Sequence, residues 1–508
     1  MKRQRSISVD ISKAPSRKRA TVIQTAGGYV NTGIVVVQGL LLIPLYLHYI
    51  GAHMYGLWLA SGGMLGMLTL MNFGISSMLI QRVSRSYGEQ NLEQAGAYFF
   101  NGMIVYLFIC LLFGLAGWVV SVLVPEILHV TGDDAELLRR CFQIAVVAMT
   151  IGILNECLRS FGLALLRPVV PMVGIAVGRI FGIAVTVWML LDEFGLWAIP
   201  MGILVAETVI FIVNLFNAMS LFRRLATKIC LDSKIIKEYV RTSPALLMAT
   251  VGNTVARDVE PLLITVFLSP EVTTAYMVTR RAADIVLRML NVIVGSTMGS
   301  FAHLAGGGDR EKTVGIAKHL LFLSFSVGTI GFATYVGTNH AFVSLWVGES
   351  FVLGHNIMLF IGLGFFARTF RGLLWQMLYG LGDFIYPSVV ILLEGIARIT
   401  LAVWLLSMLG VLGMPLAFTL SCSIAIVVLG FRLTRQLSMS FYFPAMVRFL
   451  LSGAALFGIS ISLVRMEAGI DSWSAFTLHL MMLLAGFLAM YILMNWSRCR
   501  ESYKSILI

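Results

Sequence analysis

The stretch YMVTRRAADIVLRML, Tyr276 to Leu290, sets Arg280, Arg281, Asp284 and Arg288 inside an otherwise apolar run. A guanidinium keeps its charge under burial and grips phosphate or carboxylate oxygens through parallel N–H donors, so such a group of arginines suits an anion such as a pyrophosphate. On a regular helix turning about 100° per residue, the four side chains fall within about one third of the circumference. Two readings are open. Either the strip docks an exogenous anion, with Asp284 orienting the arginines while the site is empty, or Asp284 neutralises Arg280 or Arg288 at i,i+4 and the strip is a self-paired ladder. A single carboxylate cannot satisfy all these guanidiniums, each with about five donors, which favours the exogenous anion.

Further candidates lie nearby in the chain. Arg368 and Arg371 share a helical face with no acid beside them in sequence, so both read as anion-binding. The segment VGNTVARDVEP carries Arg257, Asp258, Glu260 and Pro261, and proline bends a spanning helix by freeing a carbonyl. Arg257 joins the pyrophosphate-binding set, while Asp258, Glu260 and Asp284 read as ion-coupling or arginine-orienting carboxylates. Glu394 with Arg398, and Glu156 with Arg159, have the i,i+4 and i,i+3 spacing of structural pairs.

These residues need explaining because of where they sit. Apolar residues make up 58% of the 508, and charged residues only 12%, about half the proportion usual in soluble domains; mean hydropathy is +0.89. The chain therefore reads as an all-α polytopic membrane protein. An ionisable side chain in mid-bilayer costs about 2.5 to 3.5 kcal/mol on insertion scales, so it faces a cavity or a partner. Arg280 and Arg281 would lie about 12 to 14 Å deep if their helix enters near Val272, close to the middle of a core about 30 Å thick.

With about 20 apolar residues needed per span, the chain offers fourteen candidates: 22–50, 55–81, 96–124, 141–166, 169–191, 195–222, 243–269, 272–297, 317–345, 356–379, 385–408, 411–431, 449–465 and 475–496. The organisation expected is a basic tail (1–20), a six-helix lobe (21–222), a basic linker (223–242), a second six-helix lobe (243–434) and a terminal helix pair with its tail (435–508). Tyr55 precedes Gly74 by the same interval that separates Tyr276 from Gly295, which suggests a parallel repeat about an axis along the membrane normal. Gly62, Gly63 and Gly66 read as close-packing positions.

The net charge of +12 is mostly a matter of topology. Of the 37 Lys and Arg, 25 fall on the side of the N-terminal tail and three on the other, so both termini are expected in the cytoplasm. That placement removes the main support for nucleic acid as a partner. The first six spans hold Arg159 and Arg179 against Glu156 and Glu207, whereas the next six hold Arg257, Arg280, Arg281, Arg288, Arg368, Arg371 and Arg398 against Asp258, Glu260, Asp284 and Glu394. The second lobe is the cationic one. Six scattered cysteines show neither disulfide nor metal-type spacing, so no metal site is expected.

Ile43 to Glu89, IPLYLHYIGAHMYGLWLASGGMLGMLTLMNFGISSMLIQRVSRSYGE, resembles the first helical hairpin of Wzx-type polysaccharide flippases of the multidrug/oligosaccharidyl-lipid/polysaccharide exporter superfamily. RDVEPLLITVFLSPEVTTAYMVTRRAADIVLRML is similar to that family's seventh and eighth helices, and HLAGGGDREK to the exit that follows. The chain departs at Asn72, where many relatives carry an aspartate, so no role for that carboxylate transfers. The resemblance implies a non-enzymatic flippase of the bacterial inner membrane. It would move an undecaprenyl-pyrophosphate-linked oligosaccharide from the cytoplasmic to the periplasmic leaflet by alternating access between two lobes, for O-antigen or exopolysaccharide synthesis. Ion coupling, to H+ or Na+, is proposed for several such flippases; for this chain no cofactor and a monomeric state are expected, with membrane lipids and a polysaccharide polymerase or assembly protein as candidate partners. No G-x-x-x-x-G-K-[ST] loop occurs in the sequence. The alternatives are a cation-coupled drug exporter of the same superfamily, a lipid II flippase, and a membrane-embedded glycosyltransferase or polymerase. The longest outside loop, Pro125 to Arg140, is short for an active site of the last kind.

Overall fold

The computed structural model describes residues 17–68, 75–225, 231–288, 310–383, 385–437 and 470–494, without the side chains of 17–21, 25, 77, 242–257, 310, 323 and 493–494. The described residues are overwhelmingly helical, as a bilayer requires: with no water to pair backbone N–H and C=O groups, an open strand or loop leaves them unsatisfied. The chain divides into two compact units, Met1–Thr254 and Val255–Ile508, with the division falling inside one long helix.

Unit 1 contains α1 (Arg17–Tyr49), α2 (Ala52–Leu68), α3 (Ile75–Gly88), α4 (Leu92–Ile127), α5 (Asp133–Ala164), α6 (Val169–Leu191), α7 (Ala198–Leu225) and the start of α8 (Ser233–Phe267). Gly51 takes the left-handed turn between α1 and α2 at φ +83°, a conformation that costs a residue with a Cβ. Asn91 caps α4, its side chain accepting from the Gln94 N–H at 3.0 Å. The closest packing is that of α5, α6 and α7, where α6 and α7 meet backbone to backbone: a Cβ on Gly182 would lie 2.6 Å from the Gly202 carbonyl oxygen. Gly62 does not share this role, since a Cβ there would meet nothing within 4 Å.

The segment read as a linker is helical from Ser233 and packs on unit 1. Glu238 pairs with Arg82 and accepts from the Tyr98 hydroxyl at 3.2 Å; the Asp232 N–H donates to Asn101 at 2.9 Å. Ile235 and Tyr239 are buried one turn apart, so apolar contact holds this turn in addition to the ion pair.

Unit 2 contains the rest of α8, then α9 (Pro270–Thr279), α10 (281–288), α11 (Arg310–Val347), α12 (His355–Gly380), α13 (Ile385–Leu409), α14 (Gly413–Leu437) and α15 (Trp473–Met494). Its core joins Ile264, Tyr276, Leu287, Phe332, Phe365 and Met414. A second cluster, including Leu373, Met377, Leu429 and Leu433, closes one end. The terminal helix α15 packs on α11 through Leu483, Phe487 and Tyr491, whose hydroxyl lies 2.8 Å from Ser326 Oγ.

Nine helical stretches among the described residues are long and apolar enough to cross a membrane, one of them, Ile385–Leu437, comprising α13 and α14 together. Where they are described, the expected spans fall mainly on helices; 449–465 lies outside the described residues, as do 69–74 of the second span with Asn72 and Gly74, 289–297 of the eighth with Gly295, 495–496 of the last, Cys230, Cys499 and tail residues 1–16. Tyr55 and Tyr276, the matched tyrosines of the repeat, are both buried in the second helix of their units.

The eighth span is the main departure from expectation, because it is not one regular helix. Helix α9 ends at Thr279, and α10 begins at 281. The reason is visible in the hydrogen bonding: the Thr279 carbonyl accepts from Tyr335 Oη at 3.1 Å and from Asn339 Nδ2 at 3.0 Å. Side chains on α11 thus take the acceptor that a continuous helix would use internally, one of the recognised causes of a kink.

Candidate functional site

The break delivers Arg280 into the core of unit 2. Its guanidinium forms an ion pair with Glu260 on α8 and binds Asp284 one turn ahead through two N–H···O bonds of 3.1 and 3.2 Å. It also lies 5.3 Å from the ring centre of Phe365 on α12. Arg280 is 5% exposed and Glu260 2%. For Arg280, then, the structure shows the self-paired arrangement, extended by a carboxylate that the helical ladder did not include.

A second group lies across α12, α13 and α14. Glu394 sits between Arg371 and Arg398, ion-paired to both. Arg398 also donates to Ser421 Oγ at 3.3 Å, and the Cys422 thiol lies 3.2 Å from Glu394. The expected Glu394–Arg398 pair is present. Arg371, which has no acid near it in sequence, obtains one from the neighbouring helix.

Two phenylalanines join the groups. Phe418 on α14 lies beneath Arg398, 4.4 Å from its guanidinium carbon, and 5.6 Å from Phe365 between ring centres. Phe418 also faces Arg368 at 6.0 Å. Ring faces attract cations, so the pair of rings supports arginines on both sides. Neither ring could be assigned this role from sequence, since each sits in an ordinary apolar stretch.

Arg368 is the exception in this cluster. It lies within electrostatic reach of Arg371, Arg398 and Arg280, yet among the described residues it forms no ion pair, and its nearest charged neighbours repel it. Counting Arg280, Arg368, Arg371 and Arg398 against Glu260, Asp284 and Glu394 leaves one positive charge, and Arg368 carries it. A charge left without a counter-ion among apolar side chains is costly, so the arrangement can accept an anion.

The remaining candidates are dispersed. Arg281 is half-buried and Arg288 exposed, and neither forms an ion pair among the described residues. Asp258 is half-buried beside Glu260 on α8, while the Arg257 side chain lies outside the described residues. In unit 1, Glu156 and Arg159 form the expected pair, with bonds of 2.6 and 3.2 Å. Cys110, Cys141, Cys157 and Cys422 are buried free thiols.

The fold is similar to that of solved polytopic membrane transporters, among them ones described as belonging to the MOP superfamily. The lipid II flippase MurJ in an inward closed conformation superposes with a TM-score of 0.70 at 12% identity, covering 94% of this chain and 99% of that one. An inward-facing multidrug resistance MATE transporter gives 0.67 at 11%, covering 79% and 94%. A MOP superfamily transporter from Pyrococcus furiosus, described as having a binding pocket of reverse polarity, gives 0.58 at 12%, covering 83% and 97%. At such identities the likeness establishes the fold. The family described as Polysaccharide biosynthesis protein matches residues 168–313, less than a third of the chain but including Glu260, Arg280, Arg281, Asp284 and Arg288. Compared with curated protein sequences, the chain finds no match.

Proposed function

We propose that the chain is a flippase that carries an undecaprenyl-pyrophosphate-linked oligosaccharide from the cytoplasmic to the periplasmic leaflet of a bacterial inner membrane, by alternating access, in the synthesis of O-antigen or exopolysaccharide. The observation that carries this reading is Arg368: a cation without a carboxylate among the described residues, supported on Phe418, in a cluster whose other arginines are already matched. Arg368, Arg281 and Arg288 make the contacts to the pyrophosphate, joined by Arg257. Arg280 and Arg371, held by Glu260, Asp284 and Glu394, shape the site and turn to the phosphate oxygens when it arrives. Asp258 and Glu260 are the carboxylates through which an H+ or Na+ gradient would act. The match to a polysaccharide biosynthesis family and the fold shared with MurJ support a lipid-linked glycan as cargo.

The experiment is genetic and chemical. Deleting the gene is expected to abolish surface polysaccharide and to accumulate the lipid-linked intermediate on the cytoplasmic face. Wild-type protein restores the polymer, Arg368→Ala does not, and Arg368→Lys restores it in part, because an ammonium keeps the charge but loses bidentate contact. Normal surface polysaccharide after deletion overturns the reading in favour of drug export. Accumulation of a peptidoglycan precursor would point to lipid II instead.

A further inference from the structure

Unit 1 holds a span carboxylate of a different kind. Glu156, Glu260, Asp284 and Glu394 are all ion-paired with arginine, whereas Glu207 on α7 forms no ion pair among the described residues and is held by an amide. Asn155 Nδ2, on α5, donates to Glu207 Oε2 at 2.7 Å and to the Glu207 carbonyl at 3.0 Å. The second bond fixes the amide orientation, because a backbone carbonyl can only accept. An NH2 group therefore faces the carboxylate, an arrangement that repels a metal cation but tolerates a proton on the other oxygen. The charged groups within electrostatic reach are Arg179 on α6 and Glu156 and Arg159 on α5. Arg159 is committed to Glu156, and Arg179 donates to the Asn31 carbonyl at 3.1 Å.

From Glu207 a line of polar groups runs along the α5–α6–α7 contact. Asn214, two turns on and on the same face of α7, is fully buried, and among the described residues neither its Nδ2 nor its Oδ1 has a hydrogen-bond partner. Asn155 Oδ1 and Asn217 Nδ2 are likewise buried and unpartnered. Gly174 and Gly162 lie against this line, beside Asn214 and Asn217 respectively, and the Arg167 carbonyl stands at its far end. The distance from Glu207 to Asn217 along α7 is about 15 Å. Buried polar groups in native proteins are almost always satisfied, and where protein supplies no partner, internal water does.

We infer that Glu207 is a proton-exchange site served by a file of internal water along Asn214 and Asn217, leading to the α5–α6 turn at Arg167. The ligands are water and a proton. The inference is independent of what the protein carries and of the arginine cluster in unit 2.

Infrared difference spectroscopy on the full chain in lipid bilayers tests it. Wild type should show a protonated-carboxyl stretch that titrates with pH and disappears in Glu207→Gln. Asn214→Leu, which fills the line with an apolar side chain of similar size, should keep the band but slow its deuterium shift several-fold. A band that survives Glu207→Gln overturns the proton site, and equal exchange in Asn214→Leu and wild type overturns the water file. Loss of the band on adding Na+ at constant pH would mean a metal ion occupies the carboxylate, which also overturns the proposal. Should Glu207→Gln fail to fold, Asn155→Leu removes the donor to Oε2 and should move the titration midpoint; an unchanged midpoint counts against the site.

Discussion

Among the arginines of unit 2, partnership separates stability from binding. Arg280 sits between Glu260 and Asp284, so Arg280→Ala strands two carboxylates in a site with little solvent. Removing one member of a buried ion pair costs about 3 to 5 kcal/mol. Arg280→Ala should therefore lower the thermal midpoint of detergent-purified protein markedly, and lost transport in that variant would not by itself identify a phosphate contact. Arg368→Ala removes a like-charge neighbour of Arg371 and Arg398, and should leave the melting temperature unchanged or raise it while transport falls. A scanning-fluorimetry comparison of the two variants separates the roles. A midpoint that fell equally in both would place Arg368 among the structural arginines. The composition of the site was legible in sequence because arginines are conspicuous in apolar helices. Their partners were not: Glu260 precedes Arg280 by 20 residues and Glu394 follows Arg371 by 23, so each pair is made between helices, beyond the reach of helical periodicity.

At the level of elements, hydropathy located the helices well because bilayer length and backbone satisfaction leave few alternatives. Expected limits of 169–191 and 385–408 fall within a residue of α6 and α13. The break at Thr279 was invisible for a definite reason. Its cause is Tyr335 and Asn339, which are 56 and 60 residues away, and nothing in the local sequence between Thr279 and Arg281 is a glycine or proline. Tyr335→Phe combined with Asn339→Leu should free the Thr279 carbonyl for the Ala283 N–H and straighten α9 into α10. Spin labels at two exposed positions flanking the break would report a longer, narrower separation. An unchanged distance would mean that the Arg280–Glu260 pair alone holds the bend. The α6–α7 contact makes a second element-scale test. Gly202→Val would drive a side chain into Thr186 and the Gly182 carbonyl, and overpacking of this kind costs about 1 to 3 kcal/mol. Poor expression or a lowered midpoint is expected, whereas Gly62→Ala should be neutral. Here sequence alone overreached, since a glycine that permits close packing and one that merely tolerates it look alike.

For the whole molecule, the orientation expected rests on where its cations lie. Arg82 and Arg85 close α3, Arg223 and Arg224 close α7, and Lys234, Lys237 and Arg241 lie exposed on the first turns of α8. All belong to ends that the alternation of helices assigns to one side. On the other side Arg139 and Arg140 both bind Glu136, at 2.9 and 2.6 Å. Short loops rich in Lys and Arg remain in the cytoplasm during insertion, because moving them across is unfavourable. Alkaline phosphatase inserted in the α3–α4 turn at Gln90 should be inactive, and the same enzyme inserted in the α4–α5 turn at Val130 should be active. Green fluorescent protein at the C-terminus should fluoresce. The reverse pattern would invert the molecule, set the α5–α6 turn at Arg167 on the outer side, and make the direction of flipping opposite to that proposed. Reversing the bias tests the cause as well as the orientation. Neutralising Lys234, Lys237 and Arg241 together removes cations from a helix already fastened to unit 1 by Glu238 and Arg82, so the reporters should keep their pattern if folding of that contact fixes the topology. Mixed reporter activity in that variant would show instead that charge alone fixes it.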